Sequence, residues 1–176
     1  MFLELSKIVD GSARVEGRYP ASVFPDDDEF RVAGEVALDL DVRQRGRHYG
    51  VQGTLRAPLE LACGRCLEPL PWPVATRIDL VYVPEGEIRA EEHDREVSEG
   101  DFSSAAYKDD RIDLGQLMRE QFLLALPMKP LCSPECRGLC PVCGANLNTT
   151  VCDCKPHWED PRLAPLKTLL KNEPAG

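Results

Sequence analysis

The run Tyr49-Gly50-Val51-Gln52-Gly53-Thr54-Leu55-Arg56-Ala57-Pro58-Leu59-Glu60-Leu61-Ala62-Cys63-Gly64-Arg65-Cys66 decides the fold. Tyr49, Val51, Leu55, Ala57, Leu59 and Leu61 alternate with Gly50, Gln52, Thr54, Arg56, Pro58 and Glu60. Successive side chains of a strand point to opposite faces, so this period of two describes a strand with one buried face. The same alternation precedes it at Val36, Leu38, Leu40 and Val42, and follows it at Trp72, Val74, Thr76, Ile78, Leu80 and Tyr82. Three such runs with short connections predict an antiparallel meander. Pro58 has no N–H to give a ladder and predicts an edge or a bulge.

The meander puts two turns at opposite ends. Arg43-Gln44-Arg45-Gly46-Arg47-His48 closes one end, and Cys63-Gly64-Arg65-Cys66 closes the other. A strand over 49–61 rises about 3.3 Å per residue, which separates the two tips by roughly 40 Å.

The remaining six cysteines lie in one stretch. It reads Cys132-Ser133-Pro134-Glu135-Cys136-Arg137-Gly138-Leu139-Cys140-Pro141-Val142-Cys143-Gly144, then Cys152-Asp153-Cys154. A Cys-x-x-Cys turn aims two thiolates at one centre. In Cys140-Pro141-Val142-Cys143-Gly144 the proline fixes φ and the glycine is free to take positive φ. Eight thiols divide into two sets of four, the ligand number of a structural zinc ion. Proximity along the chain favours Cys140, Cys143, Cys152 and Cys154 as one set, and Cys63, Cys66, Cys132 and Cys136 as the other. The competing arrangement joins the two Cys-x-x-Cys turns, Cys63, Cys66, Cys140 and Cys143, as a zinc ribbon. Disulfides and inert thiols are the plainer readings. The expected reducing compartment argues against the first, and the knuckle spacing against the second.

These features give an α+β fold: an antiparallel β-meander or small open barrel, packed by one or two helices, with a C-terminal cysteine-rich zinc-knuckle segment. The expected divisions are a β-rich region over 1–84, an acidic linker or insertion over 85–110, and a helix plus cysteine-rich region over 111–176, the first and last forming one integrated domain. Asp113 is an N-cap with Gln116 three residues on, as in a capping box, and Ile112 and Leu117 sit at staple positions. Leu114, Leu117, Met118, Phe122, Leu124 and Ala125 supply that helix's apolar face, and Pro127 ends it. Asp160-Pro161 opens a second, short packing helix carrying Leu163, Leu166, Leu169 and Leu170. Residues 1–30 are poorly patterned: Phe2, Leu3, Leu5, Ile8 and Val9 suit a first strand or a short helix, and Asp26-Asp27-Asp28-Glu29 reads as a solvated turn.

A chain of 176 residues with 43% hydrophobic and 29% charged residues can bury a core of ordinary size. No apolar run reaches membrane-span length. The first residues carry Glu4 and Lys7 and are not Arg-rich, so neither a signal peptide nor a transit peptide is expected, and a cytoplasmic location is. The net charge is −9, and residues 85–110 hold ten acids against three bases, −7 of that total. The balance excludes a general polyanion binder of high pI and leaves room for a local RNA contact or a basic partner. Arg43, Arg45, Arg47 and Arg65 are the candidates for phosphate contact, because a guanidinium fork donates two parallel hydrogen bonds. Solvated turn arginines are the plainer reading.

Catalytic signatures are absent from the sequence. There is no Gly-rich phosphate loop, no nucleophile elbow and no His-Glu-x-x-His run, and His48, His93 and His157 are isolated. A zinc ion closed by four thiolates has no open position for water, so such a site is structural. His157, just after Cys154, could replace a thiolate as a ligand; a surface or core histidine is the plainer reading.

Four motifs in order resemble the YceD family, the bacterial large-ribosomal-RNA accumulation proteins. They are Cys63-Gly64-Arg65-Cys66-Leu67-Glu68-Pro69; Glu120-Gln121-Phe122-Leu123-Leu124-Ala125-Leu126-Pro127; Cys136 to Cys143 with Gly144-Ala145-Asn146-Leu147-Asn148 and Cys152-Asp153-Cys154; and Asp160-Pro161-Arg162-Leu163-Ala164. The resemblance covers roughly 30–83 and 111–172. It implies a role in accumulation or processing of the large-subunit (23S) ribosomal RNA precursor and carries over no catalytic residue. The expectation is therefore a non-enzymatic ribosome-biogenesis factor with one or two structural zinc ions, binding precursor ribosomal RNA or a basic large-subunit ribosomal protein. The acidic balance leans toward the protein partner. No membrane and no small-molecule substrate is expected. The alternatives are an RNA-processing enzyme and a Cys-x-x-Cys redox sensor.

Overall fold

The computed structural model describes residues 1–8, 10–90 and 103–155. The expected helix opening at Asp160, and the residues His93 and His157, lie outside the described residues.

The meander forms from β4 (Val36–Arg45), β5 (His48–Ala62) and β6 (Pro69–Pro84), all antiparallel. A two-residue turn, Gly46-Arg47, closes the β4–β5 hairpin against the pair Arg45–His48, and Gly46 takes the positive φ that such a turn requires. Strands β2 (Ser12–Tyr19), β3 (Arg31–Val32) and β7 (Ser104–Tyr107) extend the meander to a mixed six-stranded sheet, with β7 parallel to β6. The sheet is open rather than a barrel: its order is β2-β4-β5-β6-β7, with β3 beside β5. A separate two-stranded ribbon joins β1 (Phe2–Glu4) to β8 (Arg111–Asp113).

Burial follows the alternation. Val36, Leu38, Leu40, Val42, Val51, Leu55, Leu59, Val74 and Ile78 are buried on one face. Helix α2 (Leu114–Ala125) lies over that face with Leu114, Leu117, Met118 and Phe122 inward, and Trp72 Nε1 donates to the Ala125 carbonyl at its end. The Phe122 ring meets Phe24 and Phe30 edge-on, at centroid distances of 5.8 and 5.6 Å. Asp113 caps the helix by accepting from the Gly115 and Gln116 amides. The box is not reciprocal: Gln116 Nε2 donates to Glu120 Oε1 instead of reaching back. Leu124 points to solvent and does not belong to the apolar face.

Pro58 lies inside the sheet, not at its edge, and the reason is local. Pairing of β5 with β4 ends at Arg56–Ala37, and pairing with β3 begins at Leu59–Val32. The Pro58 carbonyl accepts from the Ala33 amide, and the missing N–H falls at the break between β3 and β4. Two elements within 85–110 also differ from a plain linker. Helix α1 (Glu85–Ala90) follows β6 directly, and β7 pairs with it in register Val81–Ser104 to Pro84–Tyr107; residues 91–102 lie outside the described residues. Because β1 pairs with β8 and β7 with β6, the chain on both sides of residues 91–102 contributes to one core.

Gly53, at the centre of β5, has a steric reason. A Cβ there would collide with the Asp39 carbonyl oxygen. Backbone cannot yield as a side-chain tip does, so Gly53→Ala is expected to cost about 1–3 kcal/mol, as overpacking does. Urea unfolding with an unchanged slope and a lower midpoint is the readout.

Candidate metal centre

Each cysteine set is assembled from a tight turn and a second piece of chain. The Cys63–Cys66 turn joins β5 to β6, and the Leu67 amide donates to the Cys63 carbonyl at 2.9 Å. The Cys140–Cys143 turn repeats this, with the Gly144 amide on the Cys140 carbonyl at 2.9 Å. The residue after each turn needs positive φ. Gly144 supplies it without strain at 74°, and Leu67 adopts it at 61° with its side chain exposed.

The chain leaving α2 returns to the first turn. The Gly64 amide donates to the Pro130 carbonyl, and Leu139 N to the Arg65 carbonyl, which places Cys132 and Cys136 against Cys63 and Cys66. The four sulfurs of site 1, Cys63, Cys66, Cys132 and Cys136, lie within 4.8 Å of one another, as do those of site 2, Cys140, Cys143, Cys152 and Cys154. In site 1, Cys63 Sγ is 3.8 Å from Cys136 Sγ and Cys66 Sγ is 3.6 Å from Cys132 Sγ. A tetrahedron with metal–sulfur bonds of about 2.3 Å has sulfur–sulfur edges of about 3.8 Å, whereas a disulfide is about 2.0 Å. All eight cysteines are free thiols at metal-ligand separations, so both sets can hold a metal ion. The ribbon pairing of Cys63 and Cys66 with Cys140 and Cys143 is not formed.

Backbone amides prepare the sulfurs for negative charge. The N–H groups of Cys66, Arg65 and Cys132 turn toward Cys63 and hold its thiol down at about 6. The N–H groups of Cys143 and Val142 do the same for Cys140, also about 6. Burial pushes Cys136 up, but Asn148, the Gly138 amide and Cys132 outweigh it and leave it lowered. The sulfurs of Cys136 and Cys66, with burial, push Cys132 up to about 12, and Cys143 does so for Cys154. Among the described residues no other group of three or more His, Cys, Asp or Glu side chains gathers ligand atoms this closely.

The four arginines do not form one site. Arg43 and Arg45 lie at the β4–β5 hairpin end and make no ion pair among the described residues, whereas Arg47 is 3.7 Å from Glu87 of α1. Arg65 is engaged at the far end, where its Nη1 donates to the carbonyls of Cys136 at 2.8 Å and Pro134 at 3.3 Å. Through Nη1 it fastens the two halves of site 1. Asn146 and Asn148, which spacing alone does not single out, also reach the first site. Asn148 Nδ2 donates to Cys136 Sγ at 3.3 Å, and Asn146 Nδ2 to Glu68 Oε1 at 3.2 Å.

Residues 51–170 match the family described as large ribosomal RNA subunit accumulation protein YceD. The chain belongs to the YceD family. It is 30% identical over 158 residues to the chloroplastic YCED homolog 1 of Zea mays, covering 77% of this chain and 54% of that one. It is 30% identical over 171 residues to an uncharacterized protein of Mycobacterium tuberculosis, covering 89% and 79%. A Bacillus subtilis relative is 28% identical over 144 residues, covering 81% and 75%. The chain thus spans about half the length of the maize YceD relative. No solved structure matches it. Among the described residues no helix is long and apolar enough to cross a membrane.

Proposed function

We propose that this YceD protein is a non-enzymatic, cytoplasmic ribosome-biogenesis factor that promotes accumulation of large-subunit (23S) ribosomal RNA. The family match over 51–170 carries this reading. Two zinc ions, one in each four-cysteine site, hold the hairpin tip and the irregular chain after α2 as a rigid surface. The all-thiolate donor set and the 3.6 and 3.8 Å sulfur separations support zinc. Four thiolates leave no position for water, which supports a structural role. Both Cys-x-x-Cys turns leave a hairpin or loop rather than opening a helix, which favours zinc over the redox reading.

The partner is precursor ribosomal RNA or a basic large-subunit ribosomal protein. The arginine end of the β4–β5 hairpin contacts RNA through Arg43, Arg45 and Arg47; the acidic groups around Glu87, Asp109 and Asp110 suit a basic protein. Binding of fluorescent precursor fragments across a salt series tests the first contact. Arg45→Glu with Arg47→Glu is expected to lower the slope of log affinity against log salt by about 2, near one unit per lost phosphate contact. An unchanged slope and affinity would assign RNA elsewhere or leave the protein partner alone.

Zinc loading has a proton signature. In metal-free site 1, Cys63 is lowered to about 6 and Cys136 is lowered, while Cys66 and Cys132 are raised. Loading at pH 8 is expected to release fewer than four protons per ion from site 1, because Cys63, held at about 6, is already a thiolate. As pH falls through about 6, Cys63 protonates, the count rises and affinity falls. Calorimetry in two buffers of different ionisation enthalpy, on a Cys152→Ser, Cys154→Ser variant, reads the number directly.

A further inference from the structure

The two cysteine sites are joined by side chains that belong to neither ligand set. Asn148 lies in the loop between Cys143 and Cys152, both ligands of site 2, yet its Nδ2 donates to the sulfur of Cys136 in site 1 at 3.3 Å. Its Oδ1 accepts from the Arg137 amide, beside that ligand, at 2.8 Å. Asn146 fixes this posture. Its Oδ1 accepts from the Asn148 amide at 3.0 Å and from Asn148 Nδ2 at 2.9 Å, and its own Nδ2 donates to Glu68, two residues past Cys66. The Leu147 amide donates to the Gly138 carbonyl at 2.9 Å, so the loop is pinned across the junction of the sites.

A donor placed on a ligating sulfur spreads its negative charge and orients it, and such outer contacts matter nearly as much as the ligands. Here the donor is delivered by a loop whose two ends are ligands of the other site. Filling site 2 fixes both ends of that loop and so presents the Asn148 amide to Cys136. We propose that Asn148 couples the two metal sites: occupation of site 2 tightens site 1, and by reciprocity occupation of site 1 tightens site 2. Asn148 is a positioning residue for site 1, and Asn146 is the brace that holds it. This rests on the metal-centre reading above, and the test separates the two.

The test is chelator-driven zinc release from the full chain, followed by native mass spectrometry. Alkylation of freed thiols, mapped by peptide mass spectrometry, assigns each loss to its site. Asn148→Ala is expected to keep two zinc ions but to release the site 1 ion about 10-fold faster or more, the usual range for outer-shell loss. Cys152→Ser with Cys154→Ser, which empties site 2, is expected to speed release from site 1 by a similar factor. Adding Asn148→Ala to that variant should then change little, because the same contact is already lost. Site 1 release that is unchanged when site 2 is emptied overturns the coupling while leaving two zinc sites intact. Effects that multiply in the combined variant overturn Asn148 as the carrier. A wild-type chain that binds no zinc overturns the metal-centre reading itself.

Discussion

Cys63→Ser is expected to cut the zinc content from two ions to one and to loosen the chain from 127 to 155. Cys63 is fully buried, and its sulfur receives the Cys132 amide at 3.4 Å in addition to sitting 3.8 Å from Cys136. The hydroxyl of serine is a poor zinc ligand, so three thiols remain where four are required. The consequences are structural because the chain after α2 has almost no regular hydrogen bonding of its own. Beyond the short bridge Leu139–Asn146, its described part is turns and irregular backbone. The Pro130 carbonyl, Arg65 and the site 1 sulfurs tie it to the β5–β6 turn. Metal binding in such a segment is folding free energy, and small zinc modules unfold without it. The expected signs are protease cleavage after α2 and a melting temperature lower by roughly 10 °C or more, with the sheet retained. Conversely, a variant that keeps two zinc ions and resists protease would show that Cys63 is not a ligand.

Phe122→Ala is expected to destabilise the other half of the molecule by about 3–5 kcal/mol, the usual cost of emptying an aromatic site in a core. Phe122 is fully buried on the inward face of α2, between Phe24 and Phe30. These three rings connect α2 to the strand-poor segment around 21–32, which is otherwise held by the Arg119–Asp27 ion pair and the short β3–β5 pairing. For a chain of this length the cost corresponds to a fall of roughly 6–20 °C in melting temperature. The zinc content should remain two, because neither site draws a ligand from α2. A fall in melting temperature with loss of zinc would mean that core and metal sites unfold as one unit. The paired results for Cys63→Ser and Phe122→Ala therefore map which part of the fold depends on metal and which on packing.

The central meander was legible because its period of two extends over long strands whose inward residues are large. Leu38, Leu40, Leu55, Leu59 and Ile78 announce a face. Strand β2 alternates too but is less legible. Its inward residues are Ala13, Val15, Gly17 and Tyr19, small for the most part, and the gap at Gly17 is covered by the Tyr19 ring. Strand β7, Ser104-Ala105-Ala106-Tyr107, has little apolar weight and lies beside an acidic run, so composition pointed to a linker. The cysteine sets follow chain proximity, and that much spacing could tell. Arg65, Asn146 and Asn148 stand in the quoted motifs, but their contacts join residues up to 78 apart, which a local pattern does not record. An asparagine in a tight cysteine-rich loop, with both donors and an acceptor free to turn inward, is the signal that was present.

Native mass spectrometry of the purified, reduced wild-type chain tests the central claim most directly. Two zinc ions per chain, lost only on acidification or chelation, is the predicted result. A chain that carries eight free thiols and no metal, with its full melting temperature, would contradict it.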